Sequence, residues 1–215
     1  MAQESEIATS ETQSFYDRIA NVHNLAMKAN GYRDSVAKYL SSLELNINSD
    51  SLVLDAGSGT GIVTLGFQAT GFRPKKIFAI DLSHNSLKIA REQFEKDENT
   101  DARNICVVQG NVLQLPFPDA AFDLIMTCGV LEYVSLEEGL KEFARVLKKG
   151  AQLILIPVRP SLIGSVLEIL YNFKMHSIEQ TKQIAEQYFK IIGDYNFPIT
   201  EPIGWSKMIF LLEKK

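Results

Sequence analysis

The sequence predicts an α/β protein: a doubly wound, mostly parallel sheet of seven strands with an antiparallel edge hairpin. Three observations predict it. Short apolar runs alternate with helix-length segments from residue 51 to residue 188, the pattern of successive βαβ units. The first of those runs are apolar throughout, as strands covered on both faces must be. The last two runs, "FKIIGDYNFPI" and "SKMIFLLEKK", are separated only by the "TEPIGW" turn, which closes an antiparallel pair.

The elements follow in order. Residues 1–10 are polar and predicted to be disordered, and 11–215 form a single domain. From Thr12 to Leu45 apolar residues recur at helical spacing (Phe15, Ile19, Val22, then Val36, Leu40, Leu43), and Gly31 divides this stretch into two helices. "SLVLD" (51–55) is a buried strand. "GIVTLGFQATG" is a helix closing at Gly71, and "KIFAID" (76–81) is the second strand. Ser83 caps the next helix by accepting from an orphan backbone N–H. "NICVVQG" (104–110) and "AFDLIMTC" (121–128) are the third and fourth strands. Ser135 and Glu138 make an S-x-x-E capping box for "GLKEFARVL". That helix is expected to end at Lys148-Lys149-Gly150, two cations on the negative dipole end and a left-handed glycine cap. "QLILIPV" (152–158) is the fifth strand, and Leu162–Phe173 and Ile178–Tyr188 are helices.

Composition bounds the function. With 46% apolar and 22% charged residues and a net charge of −4, the chain is an ordinary globular protein. Its lysines and arginines are scattered, so nucleic acid is not an expected partner. The two cysteines, Cys106 and Cys128, lie in apolar runs and read as buried free thiols. The acidic, polar N-terminus lacks the features of a secretory signal, and no apolar run reaches the length of a membrane span. A cytoplasmic location without integral membrane association is expected.

"VLDAGSGTG" (53–61) carries the chemistry. Gly57, Gly59 and Gly61 strip the backbone after the first strand, where a doubly wound sheet binds its ligand. A P-loop requires a lysine that is missing here. The dinucleotide fingerprint requires its third glycine at position 62, which is Ile62. A nucleoside without a phosphate bridge remains. Asp55, beside the loop, would repel a pyrophosphate and suit a cationic ligand.

In these residues the sequence resembles the class I S-adenosylmethionine-dependent methyltransferases, of small-molecule type and with a Rossmann-like fold. "VLDAGSGTG" is similar to the family's first motif and "AIDLS" (79–83) to its second. "GNVLQLPFPDAAFDLIMTCGVLEYV" (110–134) matches the third region and "ARVLKKGAQLILIPV" (144–158) the following segment. The four motifs stand in family order across residues 53–158. The resemblance implies S-adenosyl-L-methionine as cofactor, held by Asp55, Gly57, Ser58, Gly59 and Gly61. It makes Asp81 the acceptor for both ribose hydroxyls and sets Leu82 beside the adenine. Asn111, where the family usually has Asp, would accept from the adenine amino group through its amide carbonyl, with Val112 alongside. Cys128 and Gly129 would reach the methionine end. "KPGG" is reduced to Lys149-Gly150-Ala151.

Methyl transfer from a sulfonium needs positioning and, for some acceptors, a general base; it needs no metal. The candidates for touching substrate are His23, Glu132, Tyr133 and His176. His84 reads as solvated helix surface. Residues 11–48 resemble the lid of small-molecule relatives, with Tyr16 covering the donor site, and 159–188 would build the acceptor pocket. "SLIGSVLEILYNFKM" either lines a pocket for an apolar or aromatic acceptor or presents the core face of an ordinary helix; its helical spacing favours the core face. The expected function is methylation of O, N or C of a small molecule. The alternative is a catalytically silent cofactor-binding regulatory or partner protein of the same fold.

Overall fold

The structure, a computed structural model, describes residues 31–198 and 200–215. The expectations for residues 1–10, the first N-terminal helix, Tyr16 and His23 lie outside the described residues. Six helices and seven strands follow from Gly31 onward. In chain order they are α1 (Tyr32–Ser42), β1 (Leu52–Ala56), α2 (Ile62–Ala69), β2 (Lys76–Asp81), α3 (His84–Lys96), β3 (Ile105–Gln109) and β4 (Phe122–Cys128). Then come α4 (Leu136–Val146), β5 (Leu147–Ile156), α5 (Leu162–Tyr171), α6 (Ile178–Ala185), β6 (Phe189–Asn196) and β7 (Met208–Lys214).

All seven strands join one sheet in the order β3-β2-β1-β4-β5-β7-β6. The first five are parallel. β7 runs antiparallel between β5 and β6, so β6 is the edge and the last strand is interior. The expected hairpin is present, with a single 3₁₀ turn, Pro202–Trp205, in its connection. Strand order reverses between β1 and β4, and the crevice of a doubly wound sheet opens at the carboxyl ends there.

Alternation along the strands splits the core in two. On one face Leu54, Ile80, Ile125 and Leu153 pack with Leu140 and Phe143 of α4. On the other, Val53, Ile77, Leu124 and Ile154 pack with Val36 and Leu40 of α1 and Phe67 of α2. Phe117 and Phe122 meet edge to face, centroids 4.9 Å apart, and close the first core under the loop before β4. The caps form as the sequence implies: Ser83 Oγ accepts from Ser86 N at 3.1 Å, and Ser135 Oγ from Glu138 N at 3.3 Å. His84 is exposed at the start of α3.

Several expectations are corrected. α4 ends at Val146 and passes straight into β5, with Leu147 already extended. Lys148–Ala151 therefore lie within a register shift between β4 and β5, not at a helix cap. Gly150 keeps the left-handed φ of +74°. Lys148 instead pairs with Asp123 of β4 at 2.7 Å, and Asp123 also accepts from Leu52 N. Tertiary pairing of Leu147 with Phe122 overrides the local cap chemistry. α5 does not present a core face either: Gly164 is its one buried residue. Leu162, Val166, Ile169 and Leu170 are 90%, 63%, 85% and 64% exposed. Both helices after β5 are shorter than expected, stopping at Tyr171 and Ala185. Cys106 and Cys128 are free and only partly buried. Among the described residues no helix is long and apolar enough to cross a membrane.

Candidate active site at the carboxyl ends of the parallel strands

The turn after β1 is built by its glycines. Gly57, Gly59 and Gly61 have φ of +72°, +51° and +86°, the left-handed region that side chains disfavour. Two of them serve different ends. A Cβ on Gly57 would lie 2.1 Å from Val130 Cγ2, so the loop packs directly under the segment after β4. A Cβ on Gly59 would meet nothing within 4 Å, so the bare backbone there faces open space. The loop is braced to β2, since Gly57 N and Ser58 N both donate to Ile80 O, at 2.8 and 2.9 Å.

Asp81 ends β2 beside that loop. Its Oδ2 accepts from Gly59 N at 2.8 Å and its Oδ1 from Ser83 N at 2.9 Å. Both oxygens are thus held by backbone donors, and the side chain has one orientation. Asp55, near the end of β1, is wholly buried; its Oδ2 accepts from Thr64 N and Thr64 Oγ1, at 3.1 and 2.6 Å. Burial pushes its carboxyl up to about 7, against the pull of the Thr64 hydrogen bonds and with Asp81 adding repulsion. Asp55 Oδ1, Ser58 Oγ and Thr127 Oγ1 are buried without a hydrogen-bond partner among the described residues. Three unpaired buried oxygens at the ends of the adjacent strands β1 and β4 suit a ligand that brings polar hydrogens.

A second cluster lies beyond β4. Glu132 is buried, and its carboxylate accepts from Val158 N, tying the post-β4 turn to the exit of β5. Lys174 N donates to Glu132 O at 3.0 Å, and His176 Nε2 bonds Leu131 O at 3.0 Å. A carbonyl only accepts, so Nε2 carries the hydrogen and Nδ1 the lone pair; Nδ1 is buried without a partner among the described residues. The Tyr133 ring meets Phe173 edge to face at 5.5 Å. Across the sheet, Tyr32 Oη and Ser206 Oγ share a hydrogen bond at 3.3 Å. Burial pushes the Cys128 thiol up, with Lys207 pulling it down and Glu132 and Asp55 adding to the rise.

The profile of the methyltransferase domain family matches residues 54–155, which span β1 to β5. The chain is 35% identical to an uncharacterised protein of Methanocaldococcus jannaschii, over 74% of this chain and 67% of that protein. It is 29% identical to the demethylmenaquinone methyltransferase of Lactiplantibacillus plantarum, over 65% of this chain and 56% of that enzyme. The geranyl diphosphate C-methyltransferase of Streptomyces coelicolor A3(2) was solved with Mg²⁺, geranyl diphosphate and S-adenosyl-L-homocysteine. It superposes with a TM-score of 0.69 at 16% identity, over 83% of this chain and 78% of that one, a likeness of fold.

The chain belongs to the class I S-adenosylmethionine-dependent methyltransferases.

As a member of that family it takes S-adenosyl-L-methionine as its cofactor. It spans 53–59% of the length of the quinone-biosynthesis methyltransferases it matches. Of the methyltransferase residues named from the sequence, the structure brings Asp55, Gly57, Ser58, Gly59, Gly61 and Asp81 together at the ends of β1 and β2. Leu82 follows directly, its carbonyl accepting from Gln109 Nε2. Asn111 lies past β3 with its Oδ1 accepting from Leu113 N at 2.9 Å, and Val112 is buried beside it. Cys128 and Gly129 end β4. Glu132, Tyr133 and His176 share the second cluster.

Sequence reasoning missed Thr64, Thr127, Tyr32 and Lys207. Thr64 lies in the first turn of α2, within reach of Asp55. The others come from elements far apart in the chain. "SKMIFLL" gives no hint that its lysine is only 8% exposed.

Proposed function

We propose that this protein transfers the methyl group of S-adenosylmethionine to a small-molecule acceptor with an apolar body. One observation carries the reading. A carboxylate, Asp81, is locked at the tip of β2 by the backbone of a left-handed glycine loop that leaves open space at Gly59. That pairing of a fixed acceptor with bare backbone suits a ribose and its nucleoside, not a pyrophosphate.

Asp81 would receive the ribose hydroxyls, with Leu82, Asn111 and Val112 around the base. Asp55 Oδ1, Ser58 Oγ and Thr127 Oγ1 supply unspent acceptors for a cationic amino-acid end, next to Cys128 and Gly129. When bound, the cofactor supplies an activated sulfonium methyl. The chain's own part is to hold the acceptor in line and keep water out, a contribution of up to about 7–11 kcal/mol in the best-aligned systems. Within the second cluster His176 Nδ1 is the candidate base, since Leu131 O fixes its tautomer. Glu132 is committed to Val158 N and acts as a brace.

The apolar acceptor is supported by α5. Its exposed Leu162, Val166, Ile169 and Leu170 follow β5, in the 159–188 segment read from the sequence as the acceptor side. The demethylmenaquinone methyltransferase among the relatives is named for an acceptor with a large apolar body, which supports the same reading. The test is twofold. S-adenosylhomocysteine should raise the melting temperature and NAD should not. Label from methyl-labelled S-adenosylmethionine should then pass into an apolar extract fraction. Protection by NAD, or binding without transfer into any fraction, would overturn the proposal.

A further inference from the structure

Lys207 precedes β7, and at 8% exposure it is among the most buried charged residues in the described structure. Cations at such depth are nearly always paired. Among the described residues Lys207 makes no ion pair and no side-chain hydrogen bond. The groups facing it, Cys128, Glu132 and Tyr32, act only through space. Each is already engaged or neutral: the Glu132 carboxylate binds Val158 N, the Tyr32 hydroxyl shares a hydrogen bond with Ser206, and burial keeps the Cys128 thiol protonated. Three ammonium hydrogens are left unspent in a place where burial is costly.

Their position is specific. A Cβ on Gly129 would lie 2.6 Å from Lys207 Nζ, so the ammonium rests against the backbone directly after β4, at the point where strand order reverses. Gly129 has a φ of +66°, and its lack of a side chain is what admits the lysine. A cation set there is opposed to a sulfonium unless a negative charge is placed between them.

We propose that Lys207 is the receptor for an oxyanion of the methyl acceptor, which binds as a phenolate or enolate. This rests on the site reading above and adds the acceptor's chemical class to it. The acceptor's proton leaves to solvent on binding, because the ammonium favours the anion over the neutral form; an acceptor of this class then needs no proton transfer to His176 Nδ1. Burial alone would lower the lysine's pKa, yet its shift is upward; with the thiol and the phenol neutral, the Glu132 carboxylate is the anion beside it, and the side chain stays charged. An apolar acceptor body and a single anionic oxygen are compatible demands, met by α5 and by Lys207 respectively.

The test uses the full chain saturated with S-adenosylhomocysteine and 4-nitrophenol as the probe, whose phenolate is read by its visible absorbance. On the wild-type protein the apparent pKa of the bound phenol should fall by about one unit or more. K207M should bind the phenolate at least about tenfold more weakly, with K207R retaining most of the affinity, while S-adenosylhomocysteine affinity by calorimetry stays within about threefold in both. An unshifted phenol pKa, no phenolate binding to the wild-type protein, or equal binding by K207M would overturn the proposal. So would loss of S-adenosylhomocysteine affinity in K207M, which would assign the lysine to the donor's carboxylate. If K207M does not melt cooperatively, the pKa shift on the wild-type protein decides. Failure of the wild-type protein to bind S-adenosylhomocysteine at all would be a different result, against the methyltransferase site itself.

Discussion

Asp81 Oδ2 accepts the Gly59 backbone N–H at 2.8 Å, which makes the carboxylate of β2 and the glycine loop of β1 one rigid unit. Asp81→Asn tests this unit. Both carboxylate oxygens accept from backbone N–H groups, and an amide has only one accepting end. One N–H would then face the amide NH₂. We expect a stability loss of about 1–3 kcal/mol in urea unfolding. The melting shift caused by S-adenosylhomocysteine should vanish. A variant that keeps that shift would remove Asp81 from the cofactor site.

The loop glycines should separate by function. Gly57→Ala drives a methyl into Val130 and strains a left-handed residue, a loss of about 2–4 kcal/mol read as a lower denaturation midpoint. Adding Val130→Ala should recover part of it, since the clash is with both Val130 methyls. Gly59→Ala has no clash and should cost only about 1–2 kcal/mol of backbone strain. Yet it fills the open space before the ligand, so S-adenosylhomocysteine binding by calorimetry should fall far more than stability does.

Asp55 predicts a pH effect. Its carboxyl is raised from 3.8 to about 7 in the native protein, so the folded chain holds a proton the unfolded chain releases. The stability this supplies is complete below about pH 4 and is lost as pH climbs through about 7. Asp55→Asn fixes the neutral form and can still accept from Thr64. The variant should therefore gain on the wild-type protein between pH 4 and pH 8, by at most about 4 kcal/mol. Urea midpoints across that range measure it; a gap independent of pH would mean that the carboxyl is not raised.

Glu132 separates bracing from chemistry. Glu132→Gln keeps an acceptor for Val158 N and should fold with nearly unchanged stability. Glu132→Ala leaves that buried N–H unpaired, at a cost of about 1–3 kcal/mol. If Glu132 braces, the Gln variant retains methyl transfer; if it is lost while the fold stands, the carboxylate itself takes part.

Much of this was legible because local rules and tertiary demands agreed. Ser83 and Ser135 cap the helices that their positions announce, and Gly57, Gly59 and Gly61 adopt the φ values that only glycine tolerates cheaply. Where the two levels conflict, sequence misleads. Lys148-Lys149-Gly150 has the composition of a helix end, but strand pairing claims Leu147 and turns the segment into a bulge. α5 has the periodicity of a core helix, yet its apolar side chains lie open. Lys207 was invisible for another reason. The groups it faces are Tyr32 of α1 and Cys128 and Glu132 at the exit of β4, which come together with it only in the folded sheet, and no spacing rule connects them to Lys207.

β7 lies between β5 and β6, although it is the last of the seven strands to emerge during synthesis. Until it does, β5 and β6 share no partner, and β6 has nothing to pair with. Lys207 arrives with it. The strands that carry the nucleoside site, β1 and β2, precede this segment in the chain, but the corner proposed to receive the acceptor takes shape only once the segment is made and paired.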